Sequence, residues 1–546
     1  MLRRWGSGLV IVLALVGGIG RAGASPRDVA PEEDNPPGCA TATSEDTPQC
    51  GAQGRTGFGG AGHVPPIEAC ATRTLPSGST ITRILPDGPR HDDGTLAFIS
   101  GACVYLPPGY GTDGLRYPVL YLLHGGGGDQ GDWVTQGQIA AIADAAVAAE
   151  PSDALIVVMP DGRSGQWFDY RDGSFLNEAY VLDHLVPAVD DRFATIASRQ
   201  GRTIAGLSNG GYGAMHLAAK APDRFVAAGS MSGNLAALSM GGLGTPVVEG
   251  GPALLEAGAW YYGSLPAELA ANLDPVDLVM DWGASCSSDL TEDACLTFAF
   301  EQAFANGNRT FRDRLAAAGY SGTLDYRETE GAHAWRWWTT WLRERQLPFL
   351  LARMADPQPD SAPIPVERAP STFRYRSIRP EVSVFGYTVA VQRDVVEFLD
   401  LVDVTKDGFT LVGSGSAIVT TAPRYEPAAR YELAGSTVNA ATADSAGRLR
   451  IPVDLGPSHT SEQYSPAARP LQDLPGYFTR QPVTITRAAE VIPHDEPGPG
   501  APPAVADTSR TRLPATGDEG AELPALLMLV GSSALVAVRR RVNERA

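Results

Sequence analysis

The sequence predicts an α/β domain, a mostly parallel sheet with helices on both faces, followed by a small all-β sandwich. Three observations predict it. Short apolar runs alternate with helix-like segments between about residues 67 and 354, a proline-dense break follows, and beyond it the chain turns to β-branched, alternating runs separated by turn residues. At 546 residues the chain exceeds what one compact core usually holds, so two domains with terminal segments suit its length.

Met1–Ala24 has a basic start (Arg3, Arg4), an apolar run from Leu9 to Ile19 and the small-residue pattern Ala22-Gly23-Ala24. The run is too short to span a bilayer and reads as a secretory signal peptide over 1–24. Residues 25–65 are rich in Gly, Pro, Asp and Glu without apolar periodicity, and predict a flexible or disulfide-tied leader.

Within 66–354, the runs Pro118–His124, Ala154–Met159, Arg202–Leu207, Phe225–Met231 and Val276–Asp281 are bounded by Gly, Asp or Pro and predict buried strands. Ile139–Ala149, Tyr180–Phe193, Gly211–Lys220 and Thr310–Ala318 carry helical periodicity. Asp356–Glu367 holds four prolines, so 355–367 is expected to be a linker. Over 368–490 the runs Val382–Val391, Val395–Val402, Phe409–Val412, Ala417–Thr421, Arg448–Val453 and Val483–Thr486 predict an antiparallel β-sandwich. The stretch 491–512 is proline-rich and suits an extended spacer.

Composition sets limits. Hydrophobic residues make up 43% and charged residues 19%, which suits globular domains. The net charge of −19 argues against nucleic acid, because phosphate binding needs a basic surface. All but Lys220 and Lys406 of the 43 basic residues are arginine, and Gly and Ala abound, a texture that fits a high-GC genome. Six cysteines suit an oxidising compartment. Cys286 and Cys295 bracket a short polar loop and are the first pair expected, with Cys39–Cys50 and Cys70–Cys103 completing the set. No CxxC or His/Cys cluster suggests a metal.

The chemical signal is Gly206-Leu207-Ser208-Asn209-Gly210, between an apolar run and an amphipathic helix. Flanking glycines permit the sharp strand-to-helix turn that lifts a serine hydroxyl clear of a sheet, and the helix N-terminus favours developing negative charge. The second element is His124-Gly125-Gly126-Gly127-Gly128, at the end of the run PVLYLL. A glycine run there can present backbone N–H groups to an oxyanion, and the expected donors are the amides of Gly126 and Asn209. His124 reads as an orienting loop residue with a place in substrate binding.

A nucleophilic serine needs a base. Of eight histidines, His63, His91, His459 and His494 lie outside the sheet-forming region, and His184 and His216 sit in helix patterns. His333 lies downstream of Ser208 in a loop and completes a Ser…acid…His order. From the residues alone the acid stays open among Glu301, Asp281, Asp289, Glu292 and Asp293. Trp335 is expected at the cleft rim, Trp337, Trp338 and Trp341 as packing, and Trp167 with Phe168 as pocket lining.

The segment from Phe298 to Trp338, with Glu301, Asn308, Phe311, His333 and Trp335, resembles the antigen 85 mycolyltransferases and related esterases. Over about Ile67–Met354 the chain is similar to the esterase D and antigen 85 family. The resemblance implies an α/β-hydrolase fold, and it selects Glu301 as the acid of a Ser208–His333–Glu301 triad. Antigen 85 proteins carry an Asp-Gly-Leu-Arg type segment after the first core strand; the HGGG run here instead resembles carboxylesterases, including feruloyl and acetyl-xylan types.

Residues 513–546 resemble the sortase sorting signal of Gram-positive bacteria. They contain Leu513-Pro514-Ala515-Thr516-Gly517, the apolar run Leu523–Val538 and Arg539-Arg540-Arg541. Cleavage between Thr516 and Gly517 would leave a mature chain of Ser25–Thr516 joined to peptidoglycan. The expectation is thus a wall-anchored serine esterase, acting as a monomer on an ester of a sugar, lipid or aromatic acid, without metal or organic cofactor. An acyltransferase passing its acyl group to a sugar or lipid hydroxyl, and a non-catalytic surface adhesion protein, are the alternatives.

Overall fold

The computed structural model describes residues 66–488 other than 91–93, 95, 97–99, 113, 163–165, 170–175, 237–264, 287–296, 355–371 and 461–477. The segments expected to be a signal peptide, leader, linker, spacer and sorting signal lie outside the described residues, as do Asp289, Glu292, Asp293, Thr516 and Gly517.

Nine strands form the first sheet: β1 (Arg73–Thr74), β2 (Thr80–Ile84), β3 (Ala102–Leu106), β4 (Val119–Leu123), β5 (Ile156–Pro160), β6 (Arg202–Leu207), β7 (Ala227–Met231), β8 (Asp277–Ser285) and β9 (Leu324–Glu330). Their order is β1-β2-β3-β5-β4-β6-β7-β8-β9. The first three strands run antiparallel, and every pair from β5 to β9 is parallel. The crossing of β4 and β5 with an otherwise sequential run is the α/β-hydrolase topology. Strands β3 to β7 are buried along their whole length, as expected for parallel strands covered on both faces.

Two elements run longer than their sequence pattern. The helix predicted over Thr310–Ala318 begins at Phe298 and ends at Ala317. Gly307 and Asn308 are buried in it, and the Asn308 side chain donates to the carbonyls of Phe304 and Gly233 at 2.8 Å. Strand β8 passes Asp281 and continues to Ser285, with a register irregularity between Gly283 and Ser285.

The C-terminal part contains two antiparallel sheets. One, in the order β10-β13-β14-β19-β16-β17, comprises β10 (Tyr375–Ser377), β13 (Leu399–Thr405), β14 (Gly408–Gly413), β16 (Arg430–Ala434), β17 (Ala440–Thr442) and β19 (Thr479–Arg487). The other, β11-β12-β15-β18, comprises β11 (Glu381–Val384), β12 (Tyr387–Gln392), β15 (Ser416–Thr420) and β18 (Arg450–Asp454). The run Val382–Val391, expected as one strand, is instead a hairpin. Phe385 and Gly386 both take left-handed φ (46° and 78°) and Val384 pairs with Tyr387, a two-residue primed turn whose first position is hidden behind an aromatic residue.

This β-part shares its packing with the α/β part. Ile378 and Phe398 belong to the same apolar cluster as Tyr212, Phe225 and Leu273. Lys220, at the end of the helix Asn209–Lys220, donates to the Arg376 carbonyl and lies 3.9 Å from the centre of the Tyr375 ring. The Asn272 side chain donates to the Arg374 carbonyl at 2.8 Å. Arg379 reaches Asp169 at 3.0 Å and Asp183 at 2.5 Å. Cys70 and Cys103 are disulfide-bonded, and Cys286 is disulfide-bonded to a partner outside the described residues.

Candidate active site

Ser208 sits where β6 turns into the helix Asn209–Lys220, with φ 52° and ψ −120°. A non-glycine residue at such a φ is strained, and the surroundings enforce it. A Cβ on Gly206 would stand 2.4 Å from the carbonyl carbon of Gly210, and one on Gly210 would stand 2.4 Å from the Leu123 oxygen. The elbow glycines are thus needed for close approach of backbones. The Ser208 N–H donates to the Met231 carbonyl at 2.8 Å, which ties the turn to the end of β7.

Ser208 Oγ lies 2.8 Å from His333 Nε2, and His333 Nδ1 lies 2.8 Å from Glu301 Oε2. An ionised carboxylate can only accept, so the Nδ1–H donates to it and Nε2 is left to accept from the serine hydroxyl. Glu301 is fully buried. Its second oxygen, Oε1, accepts from the Gly283 N–H and from Ser232 Oγ, each at 2.8 Å. Aromatic rings enclose the imidazole: Phe304 stacks at 4.3 Å between centroids, and Phe300 and Trp338 meet it edge-on at 4.9 Å. Thr297 donates to the His333 carbonyl at 2.9 Å and holds the loop.

The other described candidate acid is elsewhere. Asp281 is buried, 3.1 Å from Arg345 and 3.0 Å from the Gln346 side chain. Burial pushes its carboxyl up to about 6, against the pull of Arg345 and Gln346. Its side-chain partners, Arg345 and Gln346, lie in the last helical segment, so it belongs to the packing of that segment on the sheet.

The glycine loop after β4 packs on the serine. A Cβ on Gly125 would meet Leu207 Cδ1 at 2.7 Å and Ser208 Cβ at 3.4 Å. The Gly128 N–H donates to the Gly125 carbonyl at 3.1 Å and Gly127 takes φ 72°, a turn that leaves the Gly126 N–H outside its own hydrogen bond. The Asn209 N–H is in the first turn of its helix and has no acceptor within that helix. Asp129 and Trp133 brace the loop: Asp129 accepts from the Gly131 N–H at 2.7 Å, and the Trp133 indole donates to the Leu123 carbonyl at 3.0 Å.

Two expected substrate contacts are corrected. His124 is buried; its Nδ1–H donates to the Gly125 carbonyl at 2.7 Å and its Nε2 accepts from the Gly162 N–H at 2.9 Å. Both ring nitrogens are spent on backbone, so His124 shapes the loop. Trp167 has no exposed surface; it donates to the His124 carbonyl at 3.3 Å and packs against Gly213, where a Cβ would stand 2.4 Å from its ring. It wedges the glycine loop against the serine's helix. Phe168 is likewise buried. Trp335 is half-buried at the start of the helix Trp335–Trp341, edge-on to Trp133 and Trp338 at 5.1 and 5.6 Å, and keeps an accessible face. Ser232, Gly283 and Trp338 form the support of Glu301 and were not singled out from sequence as such. Their one visible signal is position, since Ser232 and Gly283 lie at or near the C-terminal ends of neighbouring parallel strands, where such sheets build their sites.

Sheet order and elbow define the class as the α/β-hydrolase fold. Residues 100–349 match the family model described as "Putative esterase". The esterase Rv1288 of Mycobacterium tuberculosis is 31% identical over 261 residues, which are 45% of this chain and 55% of that one. The chain spans just over half the length of that relative. The endo-1,4-beta-xylanase/feruloyl esterase of Xylanibacter ruminicola is 37% identical over 139 residues, 24% of this chain and 19% of that one. A solved ferulic acid esterase is 21% identical with a TM-score of 0.42, covering 50% of this chain and 98% of its own.

Proposed function

We propose that the chain is a secreted, wall-anchored serine esterase that cleaves carboxylic esters through an acyl-enzyme on Ser208. Ser208 Oγ attacks the ester carbonyl while His333 Nε2 takes its proton, and Glu301 orients and stabilises the imidazolium. The amides of Gly126 and Asn209 receive the oxyanion. The tetrahedral adduct collapses as His333 returns the proton to the departing alcohol, leaving the acyl group on Ser208. Water, deprotonated by His333, then attacks that ester; the acid leaves and the Ser208 hydroxyl is restored.

The observation that carries the reading is the unbroken line of hydrogen bonds from Ser208 through His333 to Glu301, with each donor direction fixed by the carboxylate. Esterase relatives, one of them bearing a feruloyl esterase name, support ester substrates with a bulky or aromatic acyl group. Secretion and anchoring rest on the signal-peptide pattern of 1–24 and on the LPATG, apolar and Arg-rich order of 513–546.

The test is hydrolysis of p-nitrophenyl acetate, butyrate, longer esters and methyl ferulate by residues 25–516, beside Ser208→Ala, with and without trehalose or glycerol. Turnover that vanishes in the variant is expected. Acyl products on the added alcohol would move the reading to acyl transfer, and equal background in both proteins would leave the adhesion alternative.

A further inference from the structure

Glu301 depends on a residue outside the Ser–His–acid line. We propose that Ser232 is the positioning residue of this site, holding the Glu301 carboxylate so that Oε2 stays on His333; the inference rests on the esterase reading above. Ser232 follows the last residue of β7, is fully buried and has φ 52°, a positive φ like that of Ser208. Its N–H donates to the Asp281 carbonyl at 2.8 Å, which pins the strained turn to β8.

The hydroxyl's direction follows from its neighbours. The Trp338 indole nitrogen lies 3.1 Å from Ser232 Oγ, and an indole N–H only donates. Ser232 Oγ must accept from it, so its own proton is free to point at Glu301 Oε1, 2.8 Å away, and the carboxylate can only accept. The polarity therefore runs one way, from Trp338 through Ser232 to Glu301. With the Gly283 N–H, Ser232 places two donors on Oε1 and fixes the carboxylate plane, so the single bond left to Oε2 is the one to His333 Nδ1. No water reaches this buried carboxylate to replace a lost donor.

The test separates hydroxyl from fold. Ser232→Gly and Ser232→Ala both delete the hydroxyl, but only alanine keeps the backbone strain, so the glycine variant should be the more stable of the two. Both should lose kcat for a p-nitrophenyl ester to the same extent, about tenfold, with KM unchanged. The low-field proton resonance of the His333 Nδ1–H, visible by NMR without substrate, should weaken or move upfield in both. A glycine variant with wild-type kcat and an unmoved resonance would overturn the proposal, as would a kcat loss that follows stability instead of the hydroxyl. The resonance is read on the full chain whether or not it turns over, so a failure of the esterase reading leaves this test intact.

Discussion

Replacing Arg379 with methionine keeps the apolar stem and removes one of the cations that join the β-part to the α/β part. Its guanidinium lies 3.0 Å from Asp169, 3.8 Å from Glu178 and 2.5 Å from Asp183. Asp169 and Glu178 are buried, so losing the partner strands charge in the interior, which costs about 3–5 kcal/mol when a pair is fully enclosed. Arg379 keeps a quarter of its side chain in solvent, and water offsets part of that, so about 2–3 kcal/mol is the expected loss. The thermal midpoint should then fall by about 3 °C at pH 7, given the unfolding entropy of a unit of this size.

The pH dependence has a definite sign. Burial raises the Asp169 carboxyl above its ordinary value despite Arg379, so its charge lowers stability as pH rises through the folded value, and losing Arg379 deepens that loss. Burial also opposes the Glu178 charge, but Lys220, His216 and Arg379 outweigh it and hold this carboxyl well below the usual range. Its contribution is present above its ordinary value and lost as pH falls through the folded one. The Asp169 effect makes the gap between variant and wild type widest near neutrality and narrower by about pH 4, while the Glu178 effect narrows it only in stronger acid, below that group's usual range. Calorimetry at pH 7 and at pH 4 reads this directly. Equal midpoints at pH 7, or a gap that widens in acid, would refute the reasoning. Arg480→Ala, which breaks an exposed pair with Asp403, should change nothing measurable.

Further outcomes follow from the same geometry. Glu301→Gln should lower kcat by roughly three orders of magnitude, because the amide no longer stabilises the imidazolium, whereas Asp281→Asn should leave kcat near wild type. For Asp281 the raised folded value means stability falls as pH rises from about 4 to 6, and calorimetry of Asp281→Asn should lack that segment. Gly283→Ala would put a Cβ 2.2 Å from the Gly331 oxygen and 3.0 Å from Glu301 Cγ, so activity should collapse and stability fall by about 1–3 kcal/mol, seen in denaturant titrations. Replacing Cys70 and Cys103 together by serine opens a loop of 33 residues and should cost roughly 3–4 kcal/mol by the same titrations.

The parallel strands β4 to β8 were legible as short apolar runs between turn residues, whereas β3 (Ala102–Leu106), equally buried, was not picked out. Arg202–Leu207 matches β6 to the residue, and Ile139–Ala149 matches its helix. Legibility failed where a local signal was overruled by packing. The helix Phe298–Ala317 was recognised only from Thr310 on, because buried contacts such as that of Asn308 with the Gly233 carbonyl are long-range. Phe385 hides a hairpin turn because an aromatic residue rarely takes left-handed φ. At the site, Ser208 and His333 could be named from their motif context, and Glu301 only through a family resemblance. Ser232 and Arg379 carry no motif at all. Their roles depend on distances to residues 69 and 210 positions away, which no local pattern encodes.

The central claim is that an acyl group forms on Ser208. Intact-mass measurement after brief incubation of the full chain with a fluorophosphonate or a slowly hydrolysed p-nitrophenyl ester, followed by peptide mapping, tests it most directly. One adduct per chain is expected, on Ser208, absent in Ser208→Ala and slow to form in His333→Ala. An adduct on another residue, or labelling that persists in Ser208→Ala, would contradict it.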